Sequence, residues 1–416
     1  MFYFLVKAMK KLSTLVSALI LGYGSTLGAA DTVFDAIKSG KPTVQIRLRY
    51  ESVDTDPTTD VYGVLARTAI GYKTGSYEGF SAYVQVEDVS TLAGDDGFSD
   101  PSAPARLPGP TIADPEKADV NMSYLKYDNG SLTVVAGRQT IIHDKSRHIG
   151  NVGWRMDDQT YDAMTVKYKK DEFSLSLSHV WQVNRIFGTE DDTDSNLLHG
   201  TYDSSIGLFS AYYYQLDFES TNGGGHGYPA YGDVVDTDTY GIRLSGKYKA
   251  FSYTAEYASQ SDGADNTLTP FETEYLHANV GYDISGVMVS VGYESMGSDN
   301  SGAVSFATPL GTVHAFNGWS DRNLSLAPGL NGAGIVDTYL TIGGKVAGVK
   351  LLGTYRQLEN DVDTGAGKDR GTETNLLAVY KTKPGIVLGA KAALYEDDTA
   401  AGIDTTKTWF WTEYKF

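Results

Sequence analysis

Polar and apolar residues alternate with a period of two along most of the chain. From Val44 to Glu51, apolar residues occupy the even positions and polar or charged residues the odd positions. The same alternation recurs in 64–72, 80–87, 173–179, 208–218, 240–248, 251–257, 287–293 and 349–355. This pattern gives each segment one apolar face and one polar face, which is typical of β-strands. Because no stretch of comparable length has a helical period, the sequence predicts an all-β chain.

The connections between these segments predict the topology. Short turns occur near 74–76, 128–130, 169–171, 203–205, 249–250, 283–286, 347–348 and 383–385. Longer polar linkers occupy about 52–60, 91–118, 142–158, 186–193, 220–235, 262–270, 298–333, 362–370 and 398–406. Turns and linkers alternate strictly, so eight turns plus nine linkers separate about 18 strands. This arrangement predicts a transmembrane antiparallel β-barrel with short periplasmic turns, long extracellular loops and both termini in the periplasm.

A soluble sandwich or propeller built from paired hairpins is the alternative architecture. It does not account for tyrosines that take outward positions beside the turns: Tyr72, Tyr168, Tyr248 and Tyr282. Such tyrosines are typical of an aromatic girdle at a membrane interface. The last strand, from Lys407 to Phe416, also ends on an aromatic residue and resembles the C-terminal signal of bacterial outer-membrane proteins. We therefore expect Phe416 to be recognised by the barrel-assembly machinery, and outer-membrane lipid and lipopolysaccharide to surround the strands.

The first 30 residues predict a secretory signal peptide. Lys7, Lys10 and Lys11 precede an apolar run from Leu12 to Leu21, and small residues follow as far as Ala30. A basic region, a short apolar region and a small-residue exit are the features of such signals. Met9 is an alternative start, and the apolar run is short for a membrane anchor. The sequence thus divides into a signal at 1–30 and a barrel at 31–416.

Composition is compatible with an exported barrel. The chain has no cysteine and a mean hydropathy of −0.26, which is low because only half of each barrel strand faces lipid. Its net charge is −18, and it becomes about −21 (−18 minus 3) without the three signal lysines. An acidic protein is a poor partner for nucleic acid. Acidic runs fall in the long loops, but none has the spacing of a Ca²⁺ loop.

Arginines on the inward face of the strands are the first candidates for function. The inward parity is shared by Arg47, Arg49, Arg67, Arg243 and Arg356. One interpretation is a ring of positive charge that attracts an anionic solute. The other is that these arginines pair with inward Glu51, Glu87, Glu256 and Glu294 and stiffen the wall. The sequence leaves both interpretations open.

Two long linkers contain cationic, apolar and aromatic residues that an ordinary surface loop does not require. The first continues from the Gly137-Arg138 pair through a cationic and aromatic stretch, which predicts a segment folded into the pore. Its further pore-lining candidates are Lys145, Arg147 and Arg155. Its most recognisable residues are Gly137, Arg138, Gly150, Trp154, Gln159 and Asp162. In the second linker, they are His314, Asn317, Gly318 and Trp319.

Together with the Arg47–Glu51 stretch, these motifs resemble the alginate-export type of outer-membrane barrels over essentially the whole mature chain. The resemblance implies an eighteen-stranded channel, and the alginate exporter itself passes an anionic polysaccharide through an arginine-lined pore. We therefore expect passive diffusion of small or oligomeric hydrophilic solutes, with an anionic saccharide as the favoured class. A general or cation-preferring porin and a structural or adhesive barrel are the alternatives.

Catalysis is a further class of function that the sequence can address. No nucleophile-elbow signature accompanies the histidines, and His143 and His148 lack a third metal ligand at a meaningful spacing. We expect neither catalytic residues nor a metal or cofactor site, and an outer-membrane hydrolase is the disfavoured alternative.

Overall fold

The computed structural model describes residues 30–57, 60–99, 110–219, 235–264, 266, 268, 270–299, 301–365, 367–399 and 401–416. The predicted signal segment lies outside the described residues up to position 29, so it remains a prediction. Eighteen strands account for most of the described chain. They are β1 Lys41–Thr55, β2 Val61–Lys73, β3 Phe80–Gly94, β4 Lys117–Asp128, β5 Leu132–Gln139, β6 Thr160–Lys170, β7 Phe173–Asn184, β8 Glu190–Ser204, β9 Gly207–Leu216, β10 Thr237–Tyr248, β11 Phe251–Asp262, β12 Glu272–Ile284, β13 Val287–Met296, β14 Ile335–Val346, β15 Val349–Glu359, β16 Asp369–Lys381, β17 Val387–Asp397 and β18 Thr405–Lys415.

The strands form one closed barrel. Each strand pairs antiparallel with the next, and β18 pairs with β1 to complete the ring. Phe416 continues this seam, because its N–H donates to the Val44 carbonyl at 3.0 Å and its carbonyl accepts from Val44 at 2.9 Å. The predicted eighteen-stranded antiparallel barrel is confirmed, and the two-sheet sandwich is wrong. Closure pairs the edge of every strand, which removes the open edges that a membrane cannot tolerate.

The outer face of the barrel is apolar. Large hydrophobic side chains at alternate strand positions are exposed, among them Val84, Leu125, Met164, Ile242 and Leu376. Tyr168, Tyr248 and Tyr282 lie at the turn ends of their strands and are exposed as well. The alternation therefore separates an outer apolar face from a polar interior, as a lipid-facing barrel wall requires.

One short helix precedes the barrel and was not predicted. This helix, α1, spans Val33–Lys38, and the Thr32 hydroxyl caps it by accepting from the N–H of Asp35 at 3.1 Å. The Gly75 N–H donates to the Ala36 carbonyl at 2.8 Å and docks α1 against the β2–β3 turn. With six residues, α1 is too short to show a recognisable period in the sequence. Among the described residues, no helix has the length and hydropathy needed to cross a bilayer.

Candidate functional site

Two connections fold into the interior of the barrel. We call residues 140–159, between β5 and β6, the first insert, and residues 297–334, between β13 and β14, the second insert. Most of their large apolar side chains are buried, including Ile149 and Met156 in the first insert and Phe306 and Leu310 in the second. A 3₁₀ turn at Val313–Ala315 is the only helical element within the described part of the inserts. Both inserts correspond to linkers in which the sequence motifs were found.

The two inserts pair with each other through their backbones. The Gly150 N–H donates to the Leu310 carbonyl at 2.9 Å, and the Thr312 N–H donates to the Ser146 carbonyl at 2.8 Å. The side-chain amide of Gln159 donates to the carbonyls of Gly150 at 3.0 Å and Leu310 at 3.2 Å. A side chain at position 150 would collide with Thr312 and Ser146, which explains glycine there. The two inserts therefore form one partition across the interior.

Arginines of β1 hold the first insert by its carbonyl groups. Arg47 donates to the Arg155 carbonyl at 2.9 Å, and Arg49 donates to the Trp154 carbonyl at 2.6 Å. In return, the Arg155 guanidinium contacts both carboxylate oxygens of Glu51 at 3.2 Å. Arg49 also pairs with Asp114 from the β3–β4 loop. The Arg47–Glu51 stretch thus positions the first insert against the wall.

Further ion pairs hold the first insert elsewhere on the wall. Arg67 of β2 contacts Asp158 at 2.7 Å. Arg147 contacts Glu294 of β13 at 2.6 Å and donates to the Asn317 side chain of the second insert at 2.7 Å. These charges are buried on both sides, so each depends on its partner for stability.

Glu373 of β16 anchors the second insert. Its carboxylate accepts from the N–H groups of Trp319 and Ser320, the latter at 3.0 Å, and from the Ser320 hydroxyl at 2.6 Å. Gly318 precedes this pair of donors and has φ of +98°. A Cβ at Gly318 would collide with the Glu373 carboxylate. Position 318 therefore needs glycine for its backbone conformation and for the close approach of Glu373.

His314 lies at the centre of an aromatic cluster between the second insert and β17. Burial lowers the pKa of His314 to about 3, against the opposing effect of Asp321, so the ring is neutral near pH 7. We assign the tautomer in which Nδ1–H donates to Asp321 at 2.6 Å and Nε2 accepts from Lys391 at 2.6 Å. Trp154 stacks on His314, with ring centroids 5.2 Å apart. The Lys391 ammonium lies 4.1 Å from the ring centroid of Trp154 and 3.9 Å from that of Trp319.

The predicted pore-lining arginines are mostly buried and paired. Seven of them are at most 9% exposed: Arg47, Arg49, Arg67, Arg147, Arg155, Arg243 and Arg356. Each of the seven has a carboxylate within ion-pair distance; Arg243 contacts Glu256 at 3.3 Å, and Arg356 contacts Asp337. This is the geometry of the wall-stiffening interpretation. Lys145 differs from them, because it is exposed and has no ion pair with any described residue.

Arg138 requires a correction, because it does not line the interior. It lies on the same side of β5 as Ala136, whose partner Met164 is 48% exposed on the outer face. Arg138 forms a two-point ion pair with Asp162 of β6, at 2.8 and 3.0 Å. The register places these two motif residues directly opposite each other. The sequence grouped Arg138 with the insert, but its position belongs to the end of a strand.

Several charged residues of this interior were not predicted from the sequence: Asp114, Arg185, Asp321, Glu373, Lys391 and Lys407. Glu373 and Lys391 share the inward parity of their strands, so the period-two pattern could have identified them. Asp114 and Asp321 lie in loops, where no period indicates the direction of a side chain.

Two cavities border the inserts. The outer cavity, about 410 Å³, lies between the loop ends of β1 and β18, the β7–β8 loop and both inserts. The inner cavity, about 260 Å³, lies between the first insert and the middle of β10–β14, and Lys145, Arg243, His277 and Tyr339 are among its lining residues. The paired inserts therefore form a partition in the interior, with the outer cavity and the inner cavity beside it.

Comparisons with known proteins agree with this architecture. The family model described as alginate export matches residues 42–293, more than half of the chain. A search of curated proteins found no match. Among solved structures, OccK5 (OpdH) of Pseudomonas aeruginosa has a TM-score of 0.68 at 12% identity, and covers 92% of this chain and 99% of its own. OccAB2 of Acinetobacter baumannii has a TM-score of 0.68 at 14% identity, with the same coverage.

OccK9 (OpdG) of Pseudomonas aeruginosa gives the same TM-score of 0.68, at 14% identity, over 92% of this chain and 99% of its own. At such identities, the likeness shows the fold, and the family match carries the assignment. The fold and the family both point to a channel, which is a non-enzymatic class of protein. The chain therefore belongs to the alginate export family of outer-membrane β-barrels, and it forms a porin-like channel.

Proposed function

We propose that the channel allows passive diffusion of small organic anions, with carbohydrate acids as the expected class. The insert partition favours small solutes over long oligomers, because it divides the interior into cavities of a few hundred Å³. The family match to alginate export favours an acidic carbohydrate. The charge of the route then decides which ions pass.

The observation that carries this proposal is a group of inward lysines without acidic partners. Within the described residues, no carboxylate lies within 4.0 Å of Lys167, Lys247, Lys345 or Lys350. They share the inward parity of buried Thr165, Arg243, Asp337 and Arg356, respectively, and lie near the turn ends of their strands. Because the buried arginines are neutralised by carboxylates, these lysines supply the uncompensated positive charge of the interior.

A cation-preferring channel is the second candidate. It is favoured by the acidic loops and by the pairing of the buried arginines, which removes their charge from the pore. If the loop charges dominate, cations would accumulate at the entrance. Salt screens the loop carboxylates more strongly than charges inside the barrel, with a Debye length of about 8 Å at physiological ionic strength. For this reason, we expect the interior lysines to prevail.

Reversal potential in a tenfold salt gradient separates the two candidates. We expect an anion-preferring sign for the wild type and a shift toward cation preference for the triple variant Lys167→Gln, Lys247→Gln, Lys350→Gln. A matched control replaces three lysines at or beside turns, Lys170, Lys249 and Lys383, by Gln, and it should leave the sign and size nearly unchanged. A cation-preferring wild type that the interior variant does not move would reject the anion proposal in favour of the second candidate.

A further inference from the structure

Two residues that line the outer cavity carry hydrogen-bond donors without a partner among the described residues. Arg185 is 7% exposed; its Nε contacts Asp191 at 2.6 Å, and its Nη1 donates to Gln159 at 3.0 Å and to the Pro309 carbonyl at 2.7 Å. Its Nη2 is buried and has no hydrogen-bond partner in the part of the chain that the structure describes. The same holds for the Thr405 hydroxyl, at the first position of β18. Buried donors are nearly always satisfied by protein or ordered water, so these two donors, on residues that line one cavity, are available to an acceptor bound there.

Arg322 adds a positive charge to the same cavity without a direct ion pair among the described residues. It is exposed, and no carboxylate of the described chain lies within 4.0 Å of its guanidinium. Arg155 and Lys407 also line the cavity, but both are paired with Asp321, at 3.0 and 2.8 Å. The available charge of the cavity is therefore positive, and it is carried by a planar guanidinium that matches the shape of a carboxylate.

Beside the polar side chains of Gln159, Thr189 and Ser320, much of the remaining wall of the outer cavity is apolar. The apolar part is formed by Val152, Ile186, Pro309, Val313, Leu324 and Leu326. These side chains offer no partner to a hydroxyl group, and an unpaired hydroxyl is costly to bury. Sugar hydroxyls would therefore be disfavoured against these walls, whereas a hydrocarbon body would gain from leaving water. A volume of about 410 Å³ lies within the usual range for small-molecule sites, roughly 300–1,000 Å³.

We propose that the outer cavity is a binding site for a small carboxylate with an apolar body, held at Arg185, Arg322 and Thr405. The proposal rests on the anion channel proposed above, because the cavity lies at the loop end of that channel. Within small organic anions, it favours an apolar anion over a carbohydrate acid at this entrance site, which differs from the class expected for the channel as a whole. The site is formed by both inserts, β18 and the β7–β8 loop, so it exists only in the folded barrel.

Block of single-channel current in planar bilayers tests the site. Four probes separate charge from polarity: hexanoate, hexanamide, glucuronate and glucose. We expect hexanoate added on the loop side to reach half-block at a concentration at least tenfold lower than each of the other three. Addition on the turn side should require more hexanoate, because the site lies beyond the insert partition. Equal half-block concentrations for hexanoate and glucuronate would mean that water alone satisfies the buried donors, and would overturn the proposal.

Substitutions in the outer cavity test whether block by hexanoate arises there. Arg322→Gln removes the unpaired charge from an exposed side chain, and Thr405→Val removes the buried hydroxyl with little change of volume. We expect Arg322→Gln to weaken block by hexanoate about tenfold or more, as for loss of a charged hydrogen bond, and Thr405→Val to weaken it severalfold. Lys368→Gln, in the β15–β16 loop outside the cavity, is the matched control and should behave like the wild type. Unchanged block in both cavity variants would reject the site.

Failure of this proposal and failure of the proposed function give different results. The reversal potential without probes reports the anion preference of the channel alone. An anion-preferring wild type that hexanoate and glucuronate block equally would keep the channel function and remove the apolar site. A cation-preferring wild type that hexanoate blocks selectively would keep the site and remove the anion preference.

Discussion

Arg155 contacts carboxylates from three separate parts of the chain. Its guanidinium lies 3.2 Å from Glu51 of β1, 3.4 Å from Asp114 of the β3–β4 loop and 3.0 Å from Asp321 of the second insert. Breaking a buried ion pair by removing one partner typically costs about 3–5 kcal/mol, because the other charge stays buried. At the scale of single residues, the interior arginines therefore hold the inserts in place. Their charge is largely neutralised by the carboxylates that they contact.

Gly318 allows a direct test of how tightly the second insert is held. Gly318→Ala forces a side chain into a φ of +98° and against Glu373. Gly365 has the same φ of +98°, but a Cβ added there would have no neighbouring atom within 4 Å, so Gly365→Ala is the matched control. The backbone term alone costs roughly 1–2 kcal/mol, a factor of about 5–30 in a local opening equilibrium.

We expect trypsin to cleave the second insert after Arg322 at least fivefold faster in Gly318→Ala than in the wild type. Gly365→Ala should leave that rate unchanged, because position 365 lies in another loop. Equal cleavage in all three proteins would show that the contact between Gly318 and Glu373 does not hold the insert.

The pKa of the Asp144 carboxyl group allows a prediction of how the first insert responds to acid. Burial raises the pKa of Asp144, but hydrogen bonds from His199 and Ser210 and the charge of Arg243 outweigh burial and lower this pKa to about 2. A lowered carboxyl pKa stabilises the folded state above the ordinary value of 3.8, and this contribution is lost as pH falls from about 4 to 2. The difference corresponds to roughly 2 kcal/mol.

Single-channel current noise should therefore rise below about pH 4, as the first insert loosens. Asp144→Asn should show raised noise already at about pH 7 and a smaller further change on acidification. The same noise profile for wild type and variant would place the acid response elsewhere in the channel.

At the scale of elements, the strands and the inward folding of the first insert were predictable, but the contacts of the inserts were not. A strand such as β1 has one face in lipid and one in the interior, so its period of two survives in the sequence. Inside the inserts, each residue contacts a different part of the wall: Ser320 contacts β16 and Arg147 contacts β13. Such contacts join residues far apart in sequence, so the sequence of an insert has no periodic pattern of apolar and polar residues. The parity of Arg47 and Arg67 predicted that they point inward. Glu87, which pairs with Arg67, was among the possible partners, whereas Glu413, which pairs with Arg47, was not.

The β1–β18 seam carries a prediction about assembly. Phe416 contributes two backbone hydrogen bonds with Val44, and its ring lies 5.8 Å from that of Tyr414. Phe416→Ala keeps the backbone bonds and loses the ring, whereas deletion of Phe416 loses both. If the ring is the assembly signal, both changes should reduce surface yield severalfold. If the seam bonds matter instead, only the deletion should do so. Wild-type yield for both variants would contradict any role of the terminal residue.

At the scale of the whole molecule, we expect the inserts to determine how the eighteen-stranded barrel conducts. A barrel of this size leaves an aqueous channel unless something fills it. The first insert is tied to the second through the Gly150–Leu310 and Ser146–Thr312 backbone bonds, so removing one insert also loosens the other. We therefore expect the contacts within the interior to determine the permeation route, and the barrel wall to determine only its maximum width.

Shortening the second insert should open the channel. Replacing residues 300–330 by a short Gly-Ser linker would keep β13 and β14 intact but remove the contacts with Glu373 and with the first insert. We expect single-channel conductance to rise severalfold and larger neutral sugars to enter, because the partition no longer narrows the interior. Shortening the 398–404 loop, which joins β17 to β18 and has no hydrogen bond to the second insert among the described residues, is the control and should leave conductance near the wild-type value. If the shortened insert left conductance and size limit unchanged, ions would have to pass by a route that the second insert does not border.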